Sequence, residues 1–174
     1  MHMDRLVKAA IFAATAAGLG FALVFVPNVE LITIVIFLSG LTLGPMWGGL
    51  VGITSEAVYS GMNPLGSGLA FPPLFTAQII SMGFVGLMGG MLKPILFKKH
   101  FTAFQIIMLG ISGFSLTFIY DSLTTLSYPV SAGFDWPQTV TIYISGMGMT
   151  VLHQISNTIV FIIGIPRVTK HLAA

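Results

Sequence analysis

Charged side chains are so sparse in this chain that water cannot be its main solvent. No Lys, Arg, Asp or Glu occurs between Glu56 and Lys93, nor again between Asp135 and Arg167. Over the whole chain charged residues make up 7%, against 55% hydrophobic, and the mean hydropathy is +0.96. Soluble domains carry roughly 25% charged residues, so lipid is the expected surroundings. A helix needs about 20 apolar residues to cross a bilayer, and a transmembrane strand would read as ~10-residue alternating segments. The runs here are continuous and longer, so the reading is an all-α integral membrane protein with a single transmembrane domain over its 174 residues.

Six spans are expected, at about 6–26, 29–43, 45–60, 74–92, 101–122 and 137–165. The first is read as a retained span rather than a cleavable signal, because it has full span length and no polar domain follows. Pro27-Asn28 ends it, and Pro45 is expected to break the chain between the second and third. Gly- and Pro-rich residues 61–73, basic residues 93–100 and residues 123–136 are read as loops. Six crossings put Arg5, Lys8, Lys93, Lys98, Lys99, Arg167 and Lys170, all seven basic residues, on one side. By the positive-inside rule that side is the cytoplasm, with both termini. The second span is short enough to be re-entrant, but without it Arg5 and Lys8 would lie opposite the other five. The outer half then holds Glu30, Glu56, Asp121 and Asp135 and no Lys or Arg.

The chain has no cysteine, which excludes disulfides, thiolate metal sites and a cysteine nucleophile. No phosphate-cradling loop, nucleophile elbow or paired zinc-binding histidines occurs, and His2, His100, His153 and His171 are scattered. Binding is therefore favoured over catalysis. No enzyme activity, cofactor, resident metal or nucleic-acid partner is expected, and energy for concentrating a ligand would have to come from partner ATPases, unless the chain merely equilibrates its ligand.

Three patterns could carry function. Ala9, Ala13 and Ala17 lie four residues apart, with Ala10 and Ala14 repeating the spacing beside them. Such ladders let helices approach closely in lipid, either inside one bundle or toward a partner. Gly40, Gly44, Gly48 and Gly52, with Gly86 and Gly90, show the same spacing and are read mostly as internal packing. Polar residues within the spans form the third. Glu56 lies roughly 16 Å above Pro45 at a helical rise, and an ionisable group there is a functional candidate, unless outer water reaches it. Thr139, Tyr143, Gly146, Thr150, His153 and Asn157 follow each other by three or four, which puts all six on one helix face. Tyr59, Gln78 and His153 all come out about 21–22 Å above the cytoplasmic ends of their spans. His153 and Asn157 could bind a ligand or only bond neighbouring helices.

Taken with the short length, the alanine ladder and the Gly/Pro-rich outer loops, the chain resembles the S component of energy-coupling factor (ECF) transporters. The resemblance covers essentially the whole chain, through weak local motifs. It implies a prokaryotic cytoplasmic-membrane protein that binds a vitamin or related micronutrient in its outer half. Such a subunit associates with a membrane coupling subunit and two ATPase subunits, then topples to release its substrate inside. Ala9, Ala13 and Ala17 would be the docking face, residues 61–73 the lid, and His153, in the stretch LHQISNTI over 152–159, a substrate contact. Glu56, Tyr59, Asn63, Gln78, Tyr120, Trp136, Tyr143 and Asn157 complete the expected substrate set.

No substrate motif of the thiamin, riboflavin or biotin members is intact. Nickel and cobalt members begin with Met-His, as this chain does, but the residues after Met3 depart from their pattern, which leaves a nickel- or cobalt-type metal uptake component as a minor alternative. Acidic outer residues without Lys or Arg favour a neutral or cationic, flat, partly aromatic substrate over an anion. A small structural or assembly subunit without ligand is the competing class, and an intramembrane enzyme using His153 and Glu56 a third.

Overall fold

The computed structural model describes residues 2–172, the side chain of His2 excepted. The Met-His start that bears on the metal-uptake reading thus lies largely outside the described residues. Eight helices follow in order: α1 (His2–Leu23), α2 (Ile32–Leu43), α3 (Pro45–Gly61), α4 (Pro72–Met91), α5 (Lys93–Leu96), α6 (Ala103–Ser131), α7 (Trp136–Ser145) and α8 (Met147–Leu172), with a 3-10 turn at Gly68–Ala70. Among the described residues α1, α4, α6 and α8 are long and apolar enough to cross a membrane. The result is an all-helical bundle with four candidate membrane-spanning helices, plus α2 and α3.

α2 is the centre. Every residue from Ile32 to Leu41 is buried, as suits a helix that is apolar all round. Its Phe37 ring meets Phe161 of α8 with centroids 5.0 Å apart. At a helical rise α2 is about 18 Å long, less than the roughly 30 Å of a bilayer core. Gly44 ends it with φ +99°, a left-handed conformation that side chains resist. Pro45 then opens α3 at its first turn, where its missing N–H costs nothing. The break expected at Pro45 is thus made by Gly44, with Pro45 already helical.

The α2–α3 hairpin lies on α4 backbone to backbone. A Cβ on Gly48 would strike the Gly86 carbonyl, and one on Gly52 the Met82 carbonyl. The glycine spacing is internal packing, as expected, although Gly44 serves the turn and faces open space. The alanine ladder is also largely consumed inside the chain. Ala9 and Ala17 are buried and Ala13 half-buried against the core. This corrects the expectation of a free docking face at Ala9, Ala13 and Ala17: α1 spends it on its own bundle, leaving Ala10 and Ala14 exposed.

The exterior is apolar. Ile107, Ile111, Phe114 and Phe118 on α6 and Ile155 and Ile159 on α8 are exposed, a surface that lipid would cover.

Two boundaries differ from those expected. α6 runs on to Ser131 through Pro129, so the loop read over 123–136 shrinks to 132–135. The hydroxyls that made this stretch look irregular bond back onto helix carbonyls: Thr124 onto Tyr120 at 2.8 Å and Ser127 onto Thr124 at 2.6 Å. The last span is interrupted at the single residue Gly146 between α7 and α8, where the Gly146 N–H still donates to the Ile142 carbonyl at 3.3 Å and the Gly146 carbonyl accepts the Thr150 N–H at 3.2 Å.

Candidate functional site

Pro27 and Asn28 turn the chain sharply after α1. Asn28 takes φ +56°, which its short polar side chain tolerates better than most. The turn delivers Glu30 to the start of α2, where Oε2 accepts the backbone N–H of Thr33 at 2.9 Å. A carboxylate is favoured at such a helix start. From across the bundle, Asn157 of α8 donates to Glu30 Oε1 at 2.7 Å and to the Thr117 hydroxyl of α6 at 2.9 Å. One turn earlier on α8, His153 stands between two acids. Its Nδ1–H donates to Asp121 Oδ1 at 2.8 Å, and its Nε2 lies 3.7 Å from Glu30 Oε1. Burial alone would raise the Glu30 carboxyl, but the contacts from His153 and Thr33 outweigh it and hold it below the ordinary 4.5. Three helices and one loop are thereby tied through a single polar network.

This network borders a cavity of about 210 Å³. Its wall is acidic and aromatic, formed by Glu30, Glu56, Tyr59, Tyr120 and His153, and Gly20, Ile32 and Met82 supply apolar surface. Residues of the α1–α2 connection, Leu23 to Glu30 except Phe25, line the remaining side. No Lys or Arg lines the cavity. Glu56 is 0% exposed, and neither of its carboxylate oxygens has a hydrogen-bond partner. Tyr59 packs against Phe21 with centroids 5.3 Å apart. Tyr120 meets the His153 ring edge-on at 6.3 Å.

Most of the expected set converges here, but with divided roles. Glu56, Tyr59, Tyr120 and His153 line the cavity. Asn157 is buried behind it and holds Glu30. Gln78 does not line it: its Oε1 accepts the Ser60 hydroxyl at 2.5 Å, and its Nε2 donates to the Tyr120 hydroxyl at 3.4 Å. Gln78 therefore supports the wall. Asn63 does not line the cavity either, and its Oδ1 accepts the Leu65 N–H at 2.9 Å.

Trp136 and Tyr143 do not line this cavity. Trp136 is 77% exposed at the start of α7, and Tyr143 pairs its hydroxyl with Ser122 at 2.8 Å. Asp135 caps α7, accepting the Gln138 N–H at 2.8 Å. Residues 61–73, expected as a lid, contribute nothing to the cavity lining; the α1–α2 connection stands there instead.

The sequence reading placed Glu30 and Asp121 only as outer acids and passed over Thr117. Glu30 sits at the edge of a span, where an acid looks solvated, and its partner Asn157 is 127 positions away. Asp121 was assigned to the end of a helix that in fact continues ten residues beyond it, to Ser131. The usable signal was the lone Glu directly after a Pro-Asn turn, at the start of an apolar helix.

Among the described residues no group of three His, Cys, Asp or Glu side chains is placed to hold a metal ion. No family model, curated protein or solved structure matches this chain.

Proposed function

We propose that this chain is the substrate-binding membrane subunit of an ECF-type importer. It spans the prokaryotic cytoplasmic membrane six times, with both termini inside. It captures a compact, vitamin-like, neutral or cationic small molecule from the outer side. A membrane coupling subunit and two ATPase subunits then drive its delivery to the cytoplasm. The observation that carries this reading is the cavity beside Glu56, a partly open pocket that gathers Glu30, Glu56, Tyr59, Tyr120 and His153 within a largely apolar bundle. Buried ionisable groups facing a cavity within a membrane protein mark ligand pathways, and a subunit that only packed helices would have no use for an unpaired carboxylate.

The polarity along α2 supports the orientation. Its C-terminal end lies with the basic residues: Lys93 Nζ donates to the Thr42 carbonyl at 2.7 Å, and Arg5 borders Leu43, Gly44 and Trp47. Its N-terminal end lies with Glu30 and the cavity. The coupling subunit would approach the outward side of α1, where exposed Ala10 and Ala14 leave room for a close helix.

Mass spectrometry of small molecules carried by the detergent-purified chain tests this reading, together with uptake by liposomes holding the chain with and without an ECF module. A carried small molecule and ATP-dependent uptake only with the module are expected. A chain that carries no small molecule and assembles with no such module would be the ligand-free structural subunit instead.

A further inference from the structure

We infer, building on the ligand-binding reading above, that the cavity takes a compact organic cation whose flat, delocalised head carries paired N–H donors, with Glu56 as its counter-ion. The acids around the cavity are not equivalent. Glu30 has both oxygens engaged, Oε2 by the Thr33 N–H and Oε1 by Asn157. Asp121 holds His153 from behind and does not line the cavity. Among the described acids that line the cavity, Glu56 alone has no hydrogen-bond partner on either oxygen, and it is fully buried. A buried carboxylate left without donors is costly, and two parallel N–H groups on a cation are the partner that satisfies both oxygens at once.

The rest of the wall fits the same ligand. Lys and Arg are absent from it, and His153 is turned toward Asp121 and Glu30, so an anionic group would find no free cation. Tyr59 and Tyr120 offer aromatic faces to a flat cation. The volume of about 210 Å³ is below the roughly 300–1,000 Å³ of pockets for drug-sized ligands, which sets the scale at one ring with short substituents. The α1–α2 connection supplies largely apolar surface on the remaining side, and a lowered local dielectric strengthens an ion pair formed there.

Three isosteric probes of different charge test the assignment: benzamidinium, benzamide and benzoate, titrated by calorimetry into the purified chain. Benzamidinium is expected to bind best and benzoate not at all. Glu56→Gln should weaken benzamidinium on the order of thirty-fold or more, with Glu56→Asp retaining more affinity than Glu56→Gln because it keeps the charge. Glu56→Gln replaces an unpartnered buried carboxyl with an amide of the same shape, so its thermal midpoint without ligand should stay close to that of the wild type, which checks that it folds. If it does not fold, the ranking of the three probes on the wild type still decides. Benzoate binding as tightly as benzamidinium, unchanged benzamidinium affinity in Glu56→Gln, or no benzamidinium binding overturns the cation assignment. A carried neutral or anionic compound would overturn it too while leaving the binding-subunit reading in place. A chain that carries nothing and binds none of the probes would bring down both.

Discussion

Glu30 and Glu56 are chemically identical residues that the fold sets to different tasks. Glu30 is structural. It closes the α1–α2 turn, caps α2 and takes the Asn157 amide from α8. Glu30→Gln keeps the shape but loses the attraction to His153 and turns one acceptor oxygen into a donor facing the Asn157 amide. A loss of about 1–3 kcal/mol is expected, read from thermal unfolding in detergent. The sign of its pH dependence follows from the folded state holding the carboxyl below 4.5. Its stabilisation is fully present above the unfolded value and is lost as pH falls through the lower folded value. The gap in midpoint between wild type and Glu30→Gln should therefore shrink on acidification from about pH 6 to about pH 3. A gap that widened would mean that Glu30 is neutral in the folded protein. Residues of this kind are half legible in a sequence. Glu56, Tyr59 and His153 stand out because each interrupts an apolar run. The partner of each is set by which helices meet, and neither the Asn157–Glu30 bond nor the Asp121–His153 bond has a local signature.

At the scale of elements, the hairpin of α2 and α3 on α4 is held by the absence of side chains. Gly52 faces the Met82 carbonyl directly, and backbone on both sides leaves nothing that can rotate away. Gly52→Leu should cost about 3 kcal/mol or more and lower expression of folded protein. Gly18 on α1 faces open space and is exposed. Gly18→Ala should leave the midpoint unchanged or raise it, by up to about 1 kcal/mol from helix propensity. Equal effects at the two sites would refute close packing of α3 on α4. This pairing was legible, because four-residue glycine spacing in an apolar helix has few other uses. The lengths of α6 and α8 were not. Hydroxyls and Pro129 made the end of α6 read as loop, yet those hydroxyls satisfy helix carbonyls where water is scarce. The polar stripe over 139–157 keeps helical period across Gly146, so periodicity alone gives no sign of the one-residue interruption there.

For the whole molecule the open quantity is the number of crossings, since α2 and α3 are each shorter than the helices that span by length alone. On the proposed topology they would together make two crossings. α2 begins beside the cavity and Glu30 and ends beside Arg5 and Lys93. α3 returns from that basic end to Glu56 and Tyr59 at the cavity, and its far end leads into residues 61–73. At that far end Phe71, Tyr128 and Phe134 pack edge to face, with centroids 5.9 and 5.5 Å apart, and exposed Trp136 follows two residues after Phe134. Tyr and Trp rings such as Tyr128 and Trp136 at one end of a bundle, with Lys and Arg at the other, are the expected pattern for a protein whose ends lie in opposite membrane interfaces. This grouping also accounts for Trp136 without a ligand contact. Leu65 and Lys98 are both exposed, one near each end. In right-side-out vesicles, Leu65→Cys should react with an impermeant thiol reagent and Lys98→Cys should react only after the membrane is opened. The chain has no native cysteine to confuse the result. If both positions react in intact vesicles, α4 does not separate them, and the six-crossing arrangement with its outward-facing cavity is wrong.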